Sequence, residues 1–213
     1  MATEISNELK RILVNQETIV KWVSKKLRKQ GHHSPPLIQS IDTISTRHFD
    51  MPDKLREQLM ELNPLCIEEV EVMPLLPRNL CHHNSQLLLE VLNAKEEIYE
   101  QVIGYNITGC NCVKFWSMEL HSVIRSKKTG EIFDLTTDFE GLTKKWFIGM
   151  KVVESKDALP IIRFIVRNGM DWFYSMHKHQ CGKVCYERNE GQEDFGAFKN
   201  FWKYIGRARF IIA

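Results

Sequence analysis

The sequence predicts an α+β fold: helices packed on an antiparallel sheet, with a helical appendage at the N-terminus. Three observations carry this expectation. Residues 3–29 place apolar side chains at three- and four-residue steps, and the breaker His32-His33-Ser34-Pro35-Pro36 follows. Residues 80–92 repeat the helical pattern behind Cys81. From 98 to 135 the pattern changes to β-branched and aromatic runs, interrupted by a polar turn that ends in Gly130. The expected organisation is an N-terminal helical segment over 1–31 and one α+β domain over 37–213.

Composition bounds the function classes. Of 213 residues, 43% are hydrophobic and 26% charged, enough for a packed core. The 29 basic and 27 acidic residues nearly cancel, so charge alone makes no case for nucleic acid as a partner. No apolar stretch reaches the roughly 18–20 residues of a membrane-spanning helix. Residues 1–13 are charged and lack the apolar centre of a secretory signal. The six unevenly spaced cysteines suit a reducing, cytoplasmic setting better than a disulfide framework.

The elements follow in order. Ile5, Leu9, Ile12, Leu13, Ile19, Val20, Val23 and Leu27 form the apolar stripe of the first helix, which Gly31 stops. Its basic end, Lys25-Lys26-Leu27-Arg28-Lys29, suits a helix C-terminus on a solvated face; a phosphate or acidic partner is the alternative reading. Residues 37–46 lack a clean period and read as loop or short strand. A short helix over 53–62 starts after Pro52 and is closed by Asn63-Pro64. In 66–72, Ile67, Val70 and Val72 are set among Glu68, Glu69 and Glu71, a strand signal. Pro74 and Pro77 forbid helix before Cys81.

Strands are expected over 98–107, 113–125 and 131–135, then another over 146–153. Ser155 caps a helix through Asn168 that Gly169 closes, with Pro160 near its start. A last amphipathic helix over 192–205 and a closing strand over 207–213 complete the chain.

The candidate chemistry lies in Cys81, His121 and Asp134. A helix N-terminus favours thiolate over thiol, and so suits a nucleophile at Cys81. His121 and Asp134 flank the polar turn, so adjacent strands can present both on one face. The aspartate then fixes the imidazole tautomer while the other ring nitrogen faces the thiol. An oxyanion would rest on the Cys81 backbone N–H and a second donor, Asn79 or the Trp116 indole. His82 and His83 are rival bases, but side chains one or two steps along the same helix start point away from the thiol. The bland alternative is a buried structural cysteine.

A second constellation gathers His177, His179, Cys181 and Cys185, with Cys110 and Cys112 elsewhere. These are zinc-type ligands, but they lack the usual C-x2-C spacing, and a polar loop around Gly182 is the simpler reading. No metal or other cofactor is assigned.

Cys81 with Leu87-Leu88-Leu89, then Val102-Ile103-Gly104-Tyr105, His121-Ser122-Val123-Ile124 and Asp134-Leu135-Thr136 resemble the core of the papain-like and transglutaminase-like cysteine enzymes. Those families carry a cysteine at a helix start, then strands bearing a histidine and an aspartate. Ser122 departs from the aromatic or small apolar residue usual there, and no tryptophan directly follows Cys81. The resemblance implies a thiol hydrolase acting on a protein, peptide or other amide substrate through Cys81, His121 and Asp134. Transglutaminase, acyltransferase and deamidase chemistry are alternatives on the same core. A catalytically inactive or zinc-stabilised binding module is the alternative of another class.

Overall fold

The computed structural model describes residues 16–32, 50–76, 80–93, 98–110, 115–136, 144–167, 172–175 and 200. The alternating segment continues through Pro74 as one extended strand, β1 (Cys66–Leu76). Its first half pairs antiparallel with β5 (Lys144–Val153), from Cys66 opposite Gly149 to Glu71 opposite Lys144. Its second half runs parallel to β4 (Ile132–Thr136), with Val72 opposite Asp134 and Leu76 opposite Thr136.

β2 (Tyr99–Cys110) and β3 (Phe115–Ser126) form a long antiparallel pair, and β2 also pairs with β5. The strand order is β2-β5-β1-β4-β3-β6, and the β2–β3 pairing closes the first five of these into a ring. β6 (Trp172–Ser175) pairs with Trp116 to Glu119 of β3, while β4 takes Ile124 and Arg125 on the same edge. The sheet is therefore curved and mostly antiparallel, and helices pack against it.

Curvature sorts the side chains. Val70, Val102, Val123, Ile132 and Phe147 meet on the inner face. On the outer face, Ile103, Tyr105, Ile107, Met118, Leu120 and Ile148 pack in one cluster with α2 (Asp53–Met60) and α4 (Ser155–Arg167). Tyr99, Ile124, Phe133 and Leu135 pack in another with α1 (Gln16–Lys29) and α3 (Cys81–Leu92). Ile19, Val23 and Leu27 of α1 are fully buried there against Leu87–Leu89 of α3, so the first helix is part of this core. At about 1.5–3 kcal/mol for each large apolar side chain buried, such packing decides where the helices sit.

Gly104 is required by the close approach of β5. It lies opposite His121 on β3 and Gly149 on β5, and a Cβ at Gly104 would overlap the Ile148 carbonyl oxygen.

The short helix ends at Met60 rather than 62, and the strand expected from 146 begins at Lys144. β6 was not expected, although Trp172-Phe173-Tyr174 is an aromatic run of strand type. The expected helix before Gln16, the 37–46 segment, the 192–205 helix apart from Asn200, and the 207–213 strand lie outside the described residues. No helix among the described residues is long and apolar enough to cross a membrane.

Candidate functional site

Register brings three charged side chains from three strands to the inner face. His121 of β3 stands opposite Gly104, Asp134 of β4 opposite Val72, and Lys145 of β5 opposite Val70. His121 Nε2 donates to Asp134 Oδ2 at 2.7 Å, and Lys145 Nζ reaches the same oxygen at 2.9 Å. The backbone N–H of Thr136 donates to Asp134 Oδ1 at 3.0 Å. All three side chains are buried, with His121 the most exposed at 7%. The Phe147 ring meets His121 edge-on at 6.4 Å between centroids.

Burial alone would raise the pKa of Asp134. The charges of His121 and Lys145, and their hydrogen bonds, outweigh it and hold the carboxyl well below the ordinary carboxylate range. For His121, burial opposes the imidazolium and Asp134 favours it; Lys145 offsets part of that gain, and the net pKa is raised. With Nε2–H committed to Asp134, Nδ1 is the ring position left for proton exchange.

The expected Cys81–His121–Asp134 triad is not formed. His121 and Asp134 belong to a salt-bridge network completed by Lys145, and no cysteine among the described residues joins it. Among the described residues Cys81 makes no hydrogen bond to His121; a charge on its sulfur acts on the ring only through space, raising the His121 pKa less than the charge of Asp134 does. The reason is the attachment of α3. Ser85 Oγ donates to the Ser122 carbonyl at 3.0 Å, and Ser122 Oγ lies 2.6 Å from His82 Nδ1. Adjacent residues of a strand face opposite ways, so α3 grips the outer face through Ser122 while His121 turns inward. The thiol hydrolase, acyltransferase, transglutaminase and deamidase readings fall with the triad. So does the family resemblance at the level of the site; what remains is a mixed α+β arrangement of helices on a curved sheet.

His82 and His83 are not rival bases of the network. Burial pushes the His82 pKa down to about 4, which keeps the ring neutral and able to accept the Ser122 hydroxyl proton. Gln101 Nε2 in turn donates to Ser122 Oγ at 3.2 Å. Burial also lowers the pKa of His83, whose ring packs edge-on against His32 at 4.7 Å.

Asn79 lies outside the described residues, as does the indole of Trp116 beyond its paired backbone. His177, His179, Cys181, Cys185 and Cys112 also lie outside them, and only Cys110 is placed, at the end of β2. Among the described residues no three His, Cys, Asp or Glu side chains are arranged to hold a metal. At the basic end of α1, Lys26 lies over Trp22 and pairs with Glu90, while Lys25, Arg28 and Lys29 line an open recess of about 480 Å³.

Lys145 was missed because the strand was expected to begin at Trp146, whereas it begins at Lys144. Its signal was parity: Lys145, Phe147 and Gly149 alternate on the inner side of β5, so a lysine there needs a buried anion. Comparison with protein-family models, curated proteins and solved structures finds no match to this chain.

Proposed function

We propose that His121, Asp134 and Lys145 form an acid–base site in which His121 exchanges a proton with a small carbonyl ligand through Nδ1, without a cysteine nucleophile. The observation that carries this reading is the sharing of one buried Asp134 oxygen by His121 Nε2 and Lys145 Nζ. Removing charges from water costs several kcal/mol per ion even after relaxation. The neighbouring valines hold the same strands without that cost. The charges supply something an apolar interior lacks: an imidazole of fixed tautomer beside a carboxylate held ionised at neutral pH. Lys145 restrains the upward shift that Asp134 imposes, keeping the base nearer the range where proton transfer is efficient.

In the reaction proposed, Nδ1 takes a proton from the carbon beside the carbonyl. The C–H electron pair forms a C=C bond to the carbonyl carbon, the C=O π pair moves onto oxygen to give an enolate, and reprotonation of carbon reverses both shifts.

The test is deuterium wash-in from D₂O into a panel of small ketones, followed by NMR, with wild type, His121→Gln and Cys81→Ala. Exchange that persists in Cys81→Ala and falls by roughly 10²–10⁴-fold in His121→Gln supports the proposal. Exchange unchanged in His121→Gln, lost in Cys81→Ala, or absent throughout overturns it.

A further inference from the structure

The inner face carries one more polar side chain that the fold itself does not use. Asn106 stands opposite Glu119 on β3 and Phe147 on β5, on the same face of β2 as Gly104, which opposes His121. Phe147 is also the ring that meets His121. Asn106 is 4% exposed, and its Oδ1 is buried with no hydrogen-bond donor. Gln101 Oε1 is similarly placed, but the other end of that amide is anchored to Ser122. Among the described residues Asn106 has no such anchor.

A buried amide oxygen without a donor destabilises the chain that carries it, whereas an apolar side chain of similar size would not. Such a group has a use when a ligand supplies the missing donor. We propose that Asn106 is a ligand-binding residue of the His121 site, selecting a ligand with a carboxamide or peptide-type N–H for Oδ1. The inference rests on the acid–base reading of His121 and adds the ligand class: a carbonyl compound that also bears an amide. Discrimination follows from the unpaired acceptor. A ligand of the same shape without an N–H leaves Oδ1 unsatisfied and is rejected.

The experiment titrates isotope-labelled full-length protein with acetamide and, separately, with methyl acetate, which is similar in shape but has no N–H. Acetamide should shift the Asn106 side-chain and His121 ring signals and bind at least tenfold more tightly than methyl acetate. Asn106→Leu and Asn106→Ala should lose the acetamide response at His121, and Asn106→Leu should unfold at a denaturant concentration no lower than wild type. Equal responses to the two probes, no response to either, or a response that survives both substitutions overturns the proposal. A clear loss of stability in Asn106→Leu does so too, because the amide would then belong to the fold. If acetamide binding is retained while deuterium exchange is absent, the acid–base reading fails and the role of Asn106 in binding stands.

Discussion

His121 and Ser122 are neighbours on β3 that serve opposite faces of the sheet. His121 turns inward to Asp134 at 2.7 Å, and Ser122 turns outward to His82 at 2.6 Å. One strand thus separates a charged network from a neutral one, and the expectations below differ for each.

Asp134→Asn keeps the shape of the side chain and removes the carboxylate that His121 and Lys145 share. Lys145 is then buried beside a neutral amide. Breaking a buried pair in this way costs about 3–5 kcal/mol, to be read from urea unfolding at neutral pH. The depressed pKa of Asp134 makes its contribution fully present above the ordinary carboxylate pKa and lost as pH falls through the folded value. Wild type should therefore lose stability in acid more steeply than the variant. Equal stability at neutral pH would remove the network from any account of the fold.

Lys145→Met tests the sign of the coupling. Lys145 lowers the pKa of His121, so its removal should move the NMR titration midpoint of the His121 ring upward. The raised pKa of His121 contributes stability below its unfolded value and loses it as pH rises through the folded one, so that loss should occur at higher pH in the variant. A midpoint that moves down contradicts the geometry.

Gly104→Ala introduces a methyl group where the Ile148 carbonyl oxygen already lies. Backbone rather than a flexible side chain must give way, and a loss of roughly 1–3 kcal/mol or more is expected from overpacking. The His121 ring signals should shift with it, because Gly104 is the residue opposite. Wild-type stability in calorimetry would mean that β5 can move aside freely.

His82→Gln probes the outer network. The folded pKa of His82 is near 4, below the ordinary value of 6.5. Between these values the unfolded chain binds more protons, so stability rises with pH across that window. The variant should show a shallower rise in denaturation midpoint from pH 4 to pH 6.5. An identical profile would assign the acid sensitivity to other groups.

Periodicity made much of the fold legible. Leu87–Leu89 behind Cys81 marked α3, and the turn ending at Gly130 marked the β3–β4 connection. The proximity of His121 to Asp134 was legible too, because adjacent strands place residues across a short turn side by side. The partner of that pair was not. The pairing of β5 with β1, which carries Lys145 inward, joins segments far apart in the chain, and local pattern does not encode it. The failure at Cys81 has a different cause. A helix start can approach either face of a sheet, and Ser122, the residue that departed from the family pattern, is where α3 attaches.

The change of partner along β1 also bears on how the chain folds. The β2–β3 pair joins nearby segments and can form early, whereas the parallel contact of Val72 with Asp134 must wait until a long loop is closed. His121 and Asp134 lie across the short β3–β4 turn, whereas Lys145 reaches them only at ring closure, which makes its arrival a check on register. A slip of one residue in β4 would turn Asp134 to the opposite face, leaving Lys145 and His121 buried without their anion. Misregistered closure is thereby penalised at the last step.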